Sequence, residues 1–136
     1  MTLDRINPPA LPPPRGFSHA VLAEGRFVFL AGQTALDASG HIVGGDVVAQ
    51  FERALRNLLE ALHAADGRPD QLVSLTVYVT DIEDYKARAR DIGEVWRRLL
   101  GADYPAMAAV EVSRLWDAAA VVELQGAAVL DDASHP

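Results

Sequence analysis

The chain has no cysteine. That removes disulfides, thiolate metal ligands and a cysteine nucleophile. Small secreted domains often lean on disulfides, so their absence points toward the cytoplasm. Positive charge is also scarce: 12 Lys and Arg stand against 19 Asp and Glu, a formal net charge of −7. The arginines are scattered, and Arg97-Arg98 is the tightest group. Nucleic-acid binding draws most of its affinity from Lys and Arg, so no nucleic-acid partner is expected. No apolar run is long enough to span a bilayer, so no membrane partner is expected either. Prolines interrupt the first residues, which do not read as a signal peptide.

What remains is a chain of 136 residues, half of them apolar. This suits one globular domain with one sizeable core. Residues Pro8 to Pro14 hold five prolines in seven positions. Such a stretch is extended and lies outside a sheet. The sequence therefore divides into an extended Pro-rich segment over 1–15, a domain over 16–130 and a polar flexible tail over 131–136.

Within the domain, Phe27 to Ala31 is a short apolar run that reads as a buried strand. His19 to Ala23 is placed to pair with it through the Glu24-Gly25 turn. Asp37 to Gly40 and Gly44-Gly45 are turns. Asp46 sits where a helix N-cap belongs. Phe51, Leu55, Leu58, Leu59 and Leu62 then form one stripe, predicting a helix over Val47–Asp66 that stops at Gly67. Over Leu72–Thr80 the side chains alternate. Val73, Leu75, Val77 and Val79 face one way, toward the helices; Ser74, Thr76, Tyr78 and Thr80 face the other. That second, hydroxyl-rich face is covered by another subunit or left to solvent.

Asp81 caps a second helix with Glu83 and Asp84 in its first turn, where the helix dipole favours acids. Tyr85, Ala89, Ile92, Trp96 and Leu99 form its stripe, and Gly101 ends it. Two last strands run over about Met107–Arg114 and Val121–Leu130. The order β-β-α-β-α-β-β predicts an α+β domain with both helices on one face of a mixed sheet. The bare face makes self-association the natural expectation.

Chemistry-bearing residues are few. Glu123 stands alone in its strand between apolar neighbours. Spacing leaves it open between a solvent-facing carboxylate, a partner of Arg114 and a catalytic base. Arg114 is placed to pair with Glu111 or Asp117, or to hold an anion. Ser18 and His19 are adjacent on a strand and point to opposite faces, so they are no dyad by themselves. His41, His63 and His135 have no metal-ligand spacing with one another or with His19. Gly40 to Gly45 lacks the spacing and lysine of a phosphate loop and reads as a turn.

Seven stretches resemble, in order and at family-like spacing, the reactive intermediate deaminase (Rid, YjgF-like) family. They are Gly16 to Val21, Ala31-Gly32-Gln33 with Leu36-Asp37, Ile42 to Asp46, Val77 to Asp81, Pro105-Ala106, Val110 to Leu115, and Val122-Glu123-Leu124. The resemblance covers about Gly16 to Val129. It implies a chorismate-mutase-like fold assembled as a homotrimer with three intersubunit clefts. In the deaminase branch each cleft hydrolyses 2-imino or enamine acids to 2-keto acids and ammonia, without metal or cofactor. Carried over by position, Phe17, Gly32, Met107 and Ala109 would bind substrate and Glu123 would be catalytic, handling the water. Gly32 would offer a backbone N–H.

Three positions depart from that branch. Tyr is usual where this chain has Phe17, and a cysteine or other small residue is common at Ala109. Met107 stands where the deaminases carry an arginine that grips the substrate carboxylate. An arginine forks two charge-assisted hydrogen bonds to a carboxylate; methionine offers none. At roughly 1.5–3 kcal/mol each, losing two weakens binding by roughly 10²–10⁴-fold. The resemblance thus predicts a greasier cleft with weak or absent 2-imino acid deamination. It leaves open hydrolysis of another imine, enamine or reactive metabolite, or binding of a small metabolite without turnover. An old family label, ribonuclease, sits poorly with the acidic balance.

Overall fold

Residues 3–131 are described by the computed structural model. Strand β1 (Leu3–Ile6) pairs antiparallel with β2 (Ala20–Ala23) as a separate ribbon. Strand β3 (Arg26–Gln33) opens the main sheet. Helix α1 (Val47–Ala64) follows, and a short 3-10 turn at Pro69–Gln71 leads into β4 (Leu72–Val79). Helices α2 (Ile82–Ala87) and α3 (Ala89–Leu100) come next, then β5 (Ala106–Glu111) and β6 (Val122–Leu130). The main sheet is mixed, in the order β3-β6-β4-β5, with β4 and β5 parallel. Helices pack on one face only, so the α+β architecture is the one the pattern predicts.

Local chemistry explains the element ends. The Asp46 carboxylate accepts the Ala49 N–H at 2.9 Å and caps α1; Asp81 accepts the Asp84 N–H at 3.0 Å and caps α2. The α1 terminus differs from the glycine stop the sequence suggests. Asp66, not Gly67, takes the left-handed conformation, with φ 66°. The Asp66 N–H donates to His63 O at 2.9 Å and the Gly67 N–H to Leu62 O at 2.9 Å, the paired bonds of a Schellman motif. The second predicted helix is broken at Arg88, whose φ of −103° and ψ of 16° leave helical geometry. Its guanidinium reaches Asp46 at 3.0 Å and Asp91 at 3.5 Å, tying the break to the start of α1.

Two strand assignments need correction. Strand β2 does not pair with β3; its edge is taken by β1, which the sequence reading lacks, and β3 pairs with β6. A turn signal marks a reversal but does not say which edge pairs. The Pro8–Pro14 stretch lies outside every strand, but it is not extended throughout: Pro8 to Leu11 form a turn, with the Leu11 N–H donating to Pro8 O at 3.1 Å. In β4 the register shifts between Leu72 and Ser74. One extra residue moves Val73 off the core face and puts Leu72, 1% exposed, in its place. From Leu75 onward the predicted alternation holds, with Leu75, Val77 and Val79 buried under the helices.

The core joins Phe51, Leu55, Leu58 and Leu62 of α1 to Trp96 of α3 and to the inward side chains of the sheet. The other sheet face is bare. Phe27 and Phe29 lie on it, 67% and 84% exposed, with ring centroids 6.4 Å apart. The run Phe27 to Ala31 is therefore buried on one side only in the protomer, through Val28 and Leu30, and not throughout as its composition suggests. The tail residues 132–136, including His135, lie outside the described residues.

Candidate functional site

The five positions singled out by resemblance fall on two sides of the sheet. Met107 pairs in register with Leu75, and Ala109 with Val77, so both point toward the helices. There they line a cavity of about 260 Å³ between the sheet, α2 and α3. Phe17 closes it from the segment before β2. That segment is held in place by Ser18, whose N–H donates to Pro105 O at 2.9 Å and whose hydroxyl donates to Tyr104 O at 2.7 Å. Further wall is supplied by Phe51, Ile92, Trp96, Tyr85 and Tyr104. The indole of Trp96 stacks on Tyr104 at 5.4 Å. Burial pushes the Tyr85 phenol up to about 12.

Glu123 and Gly32 occupy the opposite, bare face. Glu123 pairs in register with Tyr78, whose hydroxyl donates to Gln125 Oε1 at 3.3 Å. Gly32 lies at a break in the β3–β6 ladder: Leu30 pairs with Gly126 and Gln33 with Leu124, leaving Ala31 and Gly32 without register partners. Such bulges re-aim the chain and are frequent beside functional sites. A side chain at position 32 would run into the Glu123 carboxylate. Glycine is what lets that half-buried carboxylate lie against the β3 backbone. Among the described residues the Glu123 carboxylate forms no ion pair. Arg114 is exposed and is not its partner; nor does it pair with Glu111 or Asp117. Glu111 instead accepts the Ile82 N–H at 3.0 Å, at the start of α2.

His19 Nε2 is within hydrogen-bond distance of Pro12 O at 2.8 Å, and its ring meets Phe17 edge-on at 5.0 Å. It braces the cavity wall and is not paired with Ser18, whose hydroxyl is committed to Tyr104. Among the described residues no three His, Asp or Glu side chains converge as metal ligands, and no helix is long and apolar enough to cross a membrane. Sequence reasoning missed Tyr85, Tyr104 and Arg15 as cavity residues. Tyr85 reads from spacing as helix stripe, Arg15 as linker; only the fold brings them together.

Comparison with known proteins shows the family. The family model described as endoribonuclease L-PSP matches residues 8–130. A RutC family protein of Pyrococcus horikoshii is 39% identical over 106 residues, covering 76% of this chain and 80% of that protein. The human protein named 2-iminobutanoate/2-iminopropanoate deaminase is 33% identical over 100 residues, covering 73% of this chain and 69% of its own. Among solved structures, the Rid family protein YyfB of Yersinia pestis superposes with a TM-score of 0.86 at 36% identity, over 96% of this chain and all of that one. With nearly its whole length matched in sequence and in fold, the chain belongs to the endoribonuclease L-PSP family, the group that includes the Rid and RutC proteins.

Proposed function

We propose that this protein hydrolyses a small reactive imine, enamine or related metabolite in clefts between the subunits of a homotrimer. The observation that carries this is the division of the candidate site. Phe17, Met107 and Ala109 line a cavity on the helix side, while Glu123 and Gly32 lie on the bare face. The sheet of one protomer separates the two sets. A single cleft holding all five needs one set from each of two copies, and the exposed Phe27 and Phe29 mark the face that a second copy covers.

In that cleft Glu123 takes a proton from water as the water oxygen bonds to the imine carbon. The C=N electron pair moves to nitrogen, which takes up the proton. A second proton then passes from the new hydroxyl, by way of Glu123, to the same nitrogen as the C–N bond breaks, leaving a carbonyl and ammonia. Glu123, which has no ion-pair partner among the described residues, is placed to move these protons, and positioned general bases are worth roughly 10²–10⁴-fold in rate. The Gly32 backbone N–H orients the substrate. Met107 offers no charge, so simple 2-imino acids, whose carboxylate adjoins the reacting carbon, are poor substrates. No metal or cofactor enters this scheme.

A second reading, a cavity that binds a small apolar metabolite without turnover, draws on the mostly apolar wall around Met107. The deciding measurement is ammonia release from imines generated in situ by an amino-acid oxidase, with Glu123→Gln beside the unaltered protein. Hydrolysis predicts that the substitution abolishes release while ligand affinity persists. Release that ignores Glu123 overturns the proposal. Release from 2-imino acids at the rate of the human deaminase overturns the part assigned to Met107; Met107→Arg should raise it.

A further inference from the structure

Arg15 lines the same cavity as Phe17 and Met107. The fold puts it there through one anchor. Ser18 is buried, 4% exposed, and forms a parallel bridge to Ala106, the residue before Met107. Between Arg15 and Phe17, Gly16 takes φ 75°, a conformation that side chains other than glycine rarely adopt. The chain turns there, so that Arg15 and Phe17 border one opening. Arg15 is exposed at the rim, and Met107 is half-buried within.

The Arg15 guanidinium is uncommitted. Among the described residues it has no carboxylate partner, whereas Arg5, Arg56, Arg68, Arg88 and Arg98 are each held by one; Arg26, Arg53, Arg90, Arg97 and Arg114 likewise have none there, but they do not line the cavity. Arg114, which the sequence also offers to hold an anion, is not a cavity residue. Among the described residues Arg15 is the one cation that lines the cavity. Beyond it the wall is apolar except for two phenols, Tyr85 and Tyr104, whose hydroxyls make no hydrogen bond to a described residue.

From this arrangement we infer that Arg15 replaces the missing cationic grip, moved from the cavity floor to its rim. The inference rests on the cleft reading above and names its substrate class. The ligand is a small monoanion whose acid group lies at the rim against Arg15 and whose apolar body lies over Met107. Acid and reacting group are then separated by an apolar spacer, unlike a 2-imino acid, in which they adjoin. Size agrees: an engineered dry cavity of about 150 Å³ accepts benzene, and this one, about 260 Å³, has room for a single ring with a short acid arm.

The test uses two probes of one shape, phenylacetate and its neutral amide, titrated into the full chain by calorimetry. Phenylacetate should bind roughly tenfold more tightly, the low end for a charge-assisted contact because the rim is open to screening. Arg15→Gln should erase that preference by weakening the acid alone, and Arg15→Lys should restore part of it. Equal affinity for the two probes, a preference that survives Arg15→Gln, or no binding of either probe overturns the inference. Ammonia release that depends on Glu123 while phenylacetate ignores Arg15 overturns the rim anchor and leaves the hydrolase. Arg15-dependent binding without any Glu123-dependent release supports the anchor and overturns the hydrolase.

Discussion

On the helix-covered face of the sheet, Leu30, Leu75, Val77, Val122 and Leu124 are all at most 4% exposed; on the other, Phe27 and Phe29 are 67% and 84% exposed. The two sets alternate along the same strands, so hydrophobicity alone does not decide which is buried. The covered face is closed by α1 and α3 and builds the protomer. The open face joins two large aromatics to Thr76, Tyr78, Glu123 and Gln125, a mixture suited to an interface. Fully burying one Phe side chain is worth about 1.5–3 kcal/mol. An assembly that covers both gains what the protomer forgoes. The five candidate positions follow the same division: Phe17, Met107 and Ala109 line the cavity on the helix side, while Gly32 and Glu123 lie on the bare side.

The sharpest contrast is between Leu75 and Phe29. Leu75→Ala should cost about 2–5 kcal/mol, because a 1%-exposed side chain leaves a cavity under the helices; urea unfolding followed by circular dichroism measures it. Phe29→Asp should leave protomer secondary structure intact and shift the mass seen by light scattering from the proposed trimer toward protomer. A trimer that survives it would break the contrast between the faces.

Gly32→Ala probes the open face more finely. Its Cβ would enter the space of the Glu123 carboxylate. That carboxylate ends a flexible side chain and can yield, so stability should change by less than about 1 kcal/mol. Imine turnover, measured as ammonia release, should fall at least roughly tenfold with the base displaced.

The smallest effect belongs to Glu52, which ties α1 to α3 away from the open face. Hydrogen bonds from Arg98, then Arg56, lower its carboxyl from 4.5 to about 2. A lowered folded-state value means the fold favours the charged form. Its stabilising contribution is therefore complete above pH 4.5 and is lost as pH falls through about 2. Melting temperatures of Glu52→Gln and the unaltered protein should differ above pH 4.5 and converge toward pH 2. Because the pair bridges helices, light scattering should show unchanged assembly.

Legibility followed the range of the interactions. Asp46 and Asp81 were readable as caps because a cap bonds residues two or three positions away. The stripe of α1 and the alternation from Leu75 onward were readable because 3.6- and 2-residue periods repeat locally. Val73 was misplaced because one bulge residue inverts the phase of what precedes it. The β1–β2 ribbon was missed because its partners lie some seventeen positions apart with prolines between. For the site, resemblance supplied five positions but not their placement on two sides of one sheet. Arg15 looked like linker because nothing in its neighbours announces a cavity.

Composition and periodicity by themselves determined an acidic, cysteine-free α+β domain with helices on one sheet face, since charge balance and amphipathic period are properties of the chain alone. Tertiary structure decided which strand edges pair, which phenylalanines stay bare, and that Arg15 and Met107 border one opening. Those outcomes depend on contacts between residues as distant as Ser18 and Tyr104. Such contacts form only when the whole chain has collapsed around a shared core.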